Sequence, residues 1–201
     1  MLLANLPRDR FRPAVACAPE GALWRFCERQ GVPRFAHWLG EDLRMLGRYQ
    51  TRPRSRTAVA GATIAALQRL RQALGLHRAA LIHCNSNKDH LLGGLAGRLA
   101  RVPVVWHMHD MLLPTVMPTT TRQALKAAAV VTCDRLLAVS EATAESLRRQ
   151  GFPGSRLRTV LNGVEPDAVG RGTGGRLRRE LGVSDATPLV GVLGRLCPWK
   201  G

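Results

Sequence analysis

Two short stretches bring together side chains whose types and spacing suit chemistry. The first is VVWHMHD, residues 104–110. On a strand, side chains at i and i+2 share a face, so His107 and His109 point the same way, and Asp110 stands where the strand opens into a loop. In an open parallel sheet that carboxyl end is where ligands bind. Histidines at a strand end can equally be hydrogen-bonded packing residues, and the residues alone leave both readings open. A metal site beginning H-x-H-x-x would need further ligands, yet Asp110 is followed by Met111 and Leu112 and no later histidine.

The second stretch is GVLGRLCPWKG, residues 191–201, an apolar run followed by Gly194, Arg195, Lys200 and Gly201. Two cations at a strand's carboxyl end, on a glycine-containing loop that lets the backbone come close, suit a diphosphate whose departing charge they neutralise without a metal. The P-loop pattern G-x-x-x-x-G-K-[ST] does not occur, and an ordinary exposed basic loop is the alternative. A third segment, VSEATAESLRRQG, holds no nucleophile and base. Ser140 lies outside a G-x-S-x-G elbow and reads as a helix cap, with Glu141 and Glu145 early, Arg148 and Arg149 late and Gly151 as a left-handed stop. Asn162 and Gly163 in LNGV read as a tight turn.

These residues need a frame, and the chain supplies an alternation of short apolar runs with longer amphipathic ones, the pattern of an α/β domain with a parallel sheet. Strands are expected at 13–18, 79–85, 102–109, 135–140, 157–162 and 188–194. Helices are expected near 20–31, 57–75, 88–101, 120–131, 141–150 and 174–182. The polar, basic stretch at 48–57 is a connection. EPDAVGRGTGG, 165–175, is glycine-rich and marks a domain boundary, with residues 1–165 before it and 166–201 beginning a second α/β cycle. MLLANLP reads as the end of a helix where a first strand and glycine-rich turn would be expected, and the last strand has no helix after it, so both ends read as those of a fragment.

At 201 residues with 45% hydrophobic content the chain can fill a core. Its formal net charge of +16 raises an anionic partner, nucleic acid or membrane surface. The excess is scattered arginine, however, and the 4% aromatic content argues against base-stacking platforms. Five dispersed cysteines, an odd number in mostly apolar surroundings, suggest reduced packed thiols in a cytosolic protein, with neither a disulfide frame nor a zinc site. No run of about 20 apolar residues suits a membrane span, and the N-terminus lacks a signal-peptide pattern.

In this order VPVVWHMHD, AVSEATAESLRRQG, TVLNGVEPDAV, RLRRELGV and VGVLGRLCPWKG resemble the family 4 retaining glycosyltransferases, enzymes with two Rossmann-like domains in the GT-B arrangement. The resemblance spans roughly residues 79–201, with a looser fit earlier, through APEGALWRFCERQGVP. It implies an N-terminal Rossmann-like acceptor-side domain, incomplete at its start, followed by the first strand of a nucleotide-sugar-binding domain. It implies transfer of a hexose from a nucleotide diphosphate sugar, the donor substrate, to a glycan or lipid-linked acceptor, with retention and with no metal or other cofactor. Arg195 and Lys200 would hold the donor diphosphate, His109 would line the sugar and acceptor cleft as the catalytic histidine, and Asp110, Ser140, Asn162, Gly163 and Gly194 would line the cleft. The family's glycine-rich turn has no counterpart here and its spaced pair of glutamates is expected past Gly201, so residues 1–201 alone are expected to be inactive. The expected setting is cytoplasmic, with peripheral contact at the inner face of the membrane. The alternative from another class is a non-catalytic basic α/β module that binds nucleic acid or an anionic membrane surface.

Overall fold

The computed structural model describes residues 2–36, 56–115, 117–164 and 175–194. The chain divides into two compact units, one covering Leu2–Asn162 and the other Gly163–Gly201.

The larger unit is a parallel α/β assembly. A short helix α1 (Leu2–Asn5) precedes β1 (Val15–Cys17), α2 (Ala22–Arg29) and β2 (Arg34–Ala36), and the two strands pair in parallel. Then follow α3 (Arg56–Leu76), β3 (Ile82–Cys84), α4 (Asn87–Ala100), β4 (Val104–Met108), α5 (Thr119–Thr132), β5 (Arg135–Ala138), α6 (Glu141–Arg149) and β6 (Leu157–Thr159). Strands β3 to β6 form one sheet in sequential order, every pair parallel, with Cys84 beside Trp106, Trp106 beside Leu136 and Leu136 beside Leu157. Each step along the sheet crosses through one helix. Crossovers of one hand in sequential order place α4, α5 and α6 on a single face.

That face is the core. Cys84, Val104, Trp106, Met108, Leu136, Ala138 and Leu157 project into it and meet Leu125, Ala129 and Cys133 of the α5 region, Ala144 and Leu147 of α6, and Phe152. A second cluster joins α3 to α4 through Ala66, Leu70, Leu74 and Ala96, with Ala16 of β1 and Ile82 of β3 packed against it. Residues of the other parity, His83, Val105, His107 and Leu137, are only half-buried on the opposite face.

The helix ends have local causes. Ser86 Oγ accepts the Asp89 amide at 3.3 Å and opens α4, while Arg101, in the left-handed region at φ 57°, closes it. Ser140 Oγ accepts the Thr143 amide at 3.1 Å and opens α6, which ends at Gly151 with φ 76°. Along α6, Arg148 pairs with Glu141 at 2.6 Å and Arg149 with Glu145 at 2.9 Å, the charge order that complements the helix dipole. The end of α5 is closed from a distance. Arg156 Nη1 donates to the carbonyls of Val130 at 2.9 Å and Cys133 at 2.8 Å, tying the turn before β6 to that helix. Asp134 performs the same service for the sheet, accepting the Val104 amide at 2.8 Å.

In the smaller unit, α7 (Gly175–Leu181) stops at Gly182, φ 64°. Arg178 Nη1 then donates to the carbonyls of Ser184 and Thr187 at 2.7 and 2.8 Å, fixing the turn that follows.

Two expectations are corrected and one strand is added. Residues 188–194 form no strand; Val190 and Val192 are 93% and 99% exposed, because no ladder partner stands beside them among the described residues. Asn162 and Gly163 form no tight turn. The Val160 amide still pairs with the Ala138 carbonyl at 2.9 Å, and the chain then leaves the sheet with neither Asn162 nor Gly163 in a turn or at positive φ. Strand β2 had no warning in the sequence, since RFA is three residues long with one large apolar side chain. The expected helical end in MLLANLP is present as α1.

The core depends on how near α4 comes to the sheet and to α5. A Cβ at Gly93 would lie 2.6 Å from Cys84 Sγ, one at Gly94 2.5 Å from Thr132 Oγ1, and one at Gly97 2.5 Å from Val104 Cγ2. Gly94→Ala and Gly97→Ala are therefore each expected to cost about 1–3 kcal/mol through overpacking. Gly61→Ala, where an added Cβ meets open space on α3, is expected to stabilise by about 0.5–1 kcal/mol. Urea midpoints of the three variants check the contrast.

Candidate functional site

The carboxyl edge of the four-stranded sheet gathers the loops that leave β3, β4, β5 and β6. Parallel strands joined by right-handed crossovers end side by side, so residues far apart in sequence meet there. Asn85 and Ser86 leave β3, His109 and Asp110 leave β4, Ser140 follows β5 and Asn162 follows β6. His109 and Asp110 are both exposed.

The residues on β4 divide by parity. Trp106 turns toward the helices, where it is fully buried and stacked on His90 of α4 at 4.8 Å between ring centroids. His90 is a packing histidine. Its Nε2 lies 3.1 Å from the Cys84 carbonyl oxygen, which can only accept, so Nε2 carries the proton and donates. Burial pushes its pKa down to about 4, against smaller opposing effects from that hydrogen bond and from Asp89.

His107 turns the other way. Its ring stacks on His83 of β3 at 5.3 Å and 16°, and stands 4.3 Å from the ring of His109, tilted by 37°. The i, i+2 spacing thus does bring His107 and His109 to one face. Burial, then the neighbouring His109 and His83, push the His107 pKa down to about 4, and burial with His109 lowers that of His83. The outermost ring, His109, has Nε2 3.4 Å from Asn85 Oδ1.

His83 and Asn85 are members of this group that the sequence reading passed over. The signal was available, because AALIHCN ends one strand away from VVWHMHD and adjacent parallel strands share their carboxyl edge. Ser140, one strand further, has its hydroxyl engaged with α6, at 3.0 Å from Thr143 Oγ1 as well as on the Thr143 amide. Asn162 and Gly163 are exposed where the chain leaves the sheet, and Gly194, in the smaller unit, is exposed with open space at its Cβ position. Arg195 and Lys200 lie outside the described residues.

Among the described residues no group of three His, Cys, Asp or Glu side chains is placed to hold a metal ion. Cys17, Cys27, Cys84 and Cys133 are buried free thiols; burial pushes the Cys133 thiol up to about 11 and raises Cys84 and Cys17 as well, which makes these three poor nucleophiles. A depression of about 560 Å³ is lined by Gln68, Arg71 and Gln72 of α3 with Ala100 and Val102. It lies by the amino end of β4, away from the histidines, and gathers no catalytic set.

Comparison with known proteins bears on the whole arrangement. A family model described as Glycosyltransferase Family 4 matches residues 2–168. No curated protein matches the chain. Among solved structures, Alr3699/HepE of Anabaena in complex with UDP-glucose superposes with a TM-score of 0.67 at 24% identity, over 94% of this chain and 46% of that one. The same Anabaena protein in complex with UDP superposes with a TM-score of 0.60 at 21% identity, over 90% of this chain and 44% of that one. These likenesses are to the fold, and the chain spans less than half the length of the Anabaena protein.

The histidines set an acid limit on the fold. In the unfolded chain they protonate around the ordinary imidazole value of 6.5, whereas the folded protein holds His90 and His107 neutral down to about 4. Between those values the unfolded state binds more protons, so stability falls as pH falls, by at most about 1.4 kcal/mol per pH unit for each fully excluded imidazole. The more exposed His107 contributes less than His90. The urea midpoint is expected to drop steadily from pH 7 to pH 5, and a flat midpoint across that window contradicts the assignment.

Proposed function

Because this chain belongs to Glycosyltransferase Family 4, we propose that the full-length polypeptide transfers a hexose from a nucleoside diphosphate sugar to a lipid-linked or polysaccharide acceptor, with retention at the anomeric carbon and without a metal. The observation that carries this reading is the family match across residues 2–168, joined to a carboxyl edge that leaves His109 and Asp110 exposed at the end of β4. The fold likeness to a protein solved with UDP-glucose supports a nucleotide sugar as donor.

The proposed roles are those that the family resemblance implies, and the charge of the residues suits them. As the bond from the anomeric carbon to the diphosphate breaks, the electron pair leaves with the diphosphate, and the charge that develops needs fixed donors. Arg195 and Lys200 supply them, the guanidinium by forked hydrogen bonds and the ammonium as a point charge. His109 contacts sugar and acceptor, and Asp110, Ser140, Asn162, Gly163 and Gly194 line the cleft. On this reading residues 1–201 alone do not turn over.

No helix among the described residues is long and apolar enough to cross a membrane. A cytoplasmic protein whose positive charge favours an anionic lipid surface, where lipid-linked acceptors reside, fits the net charge of +16.

Turnover of UDP- and GDP-sugars by the full-length polypeptide, with and without a chelator, tests the assignment. Activity is expected to survive chelation, and Arg195→Ala with Lys200→Ala is expected to lower turnover about a hundredfold or more, as when an electrostatic stabiliser is removed. Unchanged turnover in the double variant, or an absolute need for a divalent ion, overturns it.

A further inference from the structure

The reading of His109 as a cleft residue leaves its neighbours without a role. His83 and His107 sit on adjacent strands, stacked at 5.3 Å and nearly parallel, and His107 continues to His109 at 4.3 Å. The three rings make a column that runs from the half-buried face of the sheet to its exposed carboxyl edge. The Nε2 atoms of both His83 and His107 are shut off from solvent with no hydrogen-bond partner among the described residues. Apolar rings would fill this space without stranding polar atoms, so packing alone does not account for imidazoles here.

The surroundings leave the stack as the principal hold on His109. Among the described residues its one hydrogen bond, to Asn85 Oδ1, is long at 3.4 Å. Across β4 from His107 stands uncharged Leu137, in register on β5. The next charged groups along that face, Arg135 and Arg158, have their guanidinium groups on the backbone carbonyls of Asp134 and Leu157, at 2.9 and 2.8 Å. His90 and Asp89 belong to α4, on the helix side of the sheet.

We propose that His107, backed by His83, is the positioning residue for His109: the flat face of its ring fixes the plane in which the His109 imidazole meets the sugar and acceptor. The proposal rests on the role given to His109 above. A ring free to turn about its side-chain torsions offers its nitrogens in many directions, and the stack removes most of them before substrate arrives. His107 touches neither donor nor acceptor and acts through its neighbour.

The test compares His107→Ala, His107→Phe and His107→Leu in the full-length polypeptide, assayed with a nucleoside diphosphate sugar well below each variant's melting temperature. His107→Ala is expected to lower kcat roughly tenfold to a hundredfold while the donor KM stays within about twofold. His107→Phe restores most of kcat because it returns a flat ring, and His107→Leu, which fills similar space without one, does not. In a His109→Ala background, His107→Ala is expected to add nothing further. Equal rescue by leucine and phenylalanine, or independent losses from the two histidines, overturns the proposal while leaving the transferase reading intact. Should the wild type turn over no nucleotide sugar, that reading fails, and the column is still tested by NMR. The ring protons of His109 are expected upfield of an isolated imidazole, with the shift kept in His107→Phe and lost in His107→Ala and His107→Leu. Ring protons of His109 at the position of an isolated imidazole in the wild type overturn the stack itself.

Discussion

The molecule depends on how closely α4 lies against β3 and β4. Gly93, Gly94 and Gly97 leave no side chain between the helix backbone and Cys84, Thr132 and Val104, so the sheet and its helix layer meet at contact distance. A buried Trp106 fits there only because the helix yields that space. The same approach brings His90 onto the indole, beside the pairing of Cys84 with Trp106. Since the candidate edge is made of whatever those strands carry, a packing constraint on one side of the sheet bears on the geometry at its rim.

Strand β4 shows how one sequence serves two environments. Alternation sends Val104, Trp106 and Met108 into the core and Val105 and His107 to the other face. Histidine accordingly appears in two forms. His90, pressed on an indole and donating to a carbonyl, is a neutral core residue that stiffens the base of the edge. His107 and His109, on the open face, lead outward to solvent. Packing histidine and edge histidines thus lie on opposite sides of the same sheet.

Much of this was legible in the sequence because it rests on local pattern. Ser140 and Gly151 bracket α6 as their chemistry requires, and the apolar runs at 79–85, 102–109, 135–140 and 157–162 contain the four strands of the main sheet. The parallel, helix-crossed arrangement followed from the alternation of periods. What was not legible depends on partners. RFA becomes β2 only because β1 lies beside it, while PLVGVLG has no such neighbour among the described residues and stays unpaired in spite of its composition. Asn-Gly at 162–163 has turn chemistry but no returning strand to turn toward among the described residues. The meeting of His83 with His107 belongs to the register between strands, which no single segment encodes.

The carbonyl contacts of the arginines alter what the composition says about partners. Arg156 closes the end of α5, Arg178 shapes the turn after α7, and Arg135 and Arg158 lean on their own backbone. A guanidinium braced on a neutral carbonyl keeps its full positive charge, but fewer of its N–H groups remain free to fork onto a phosphate. Long-range attraction of polyanions is therefore undiminished at these four arginines, while close docking of an anion on them is the poorer for donors already engaged.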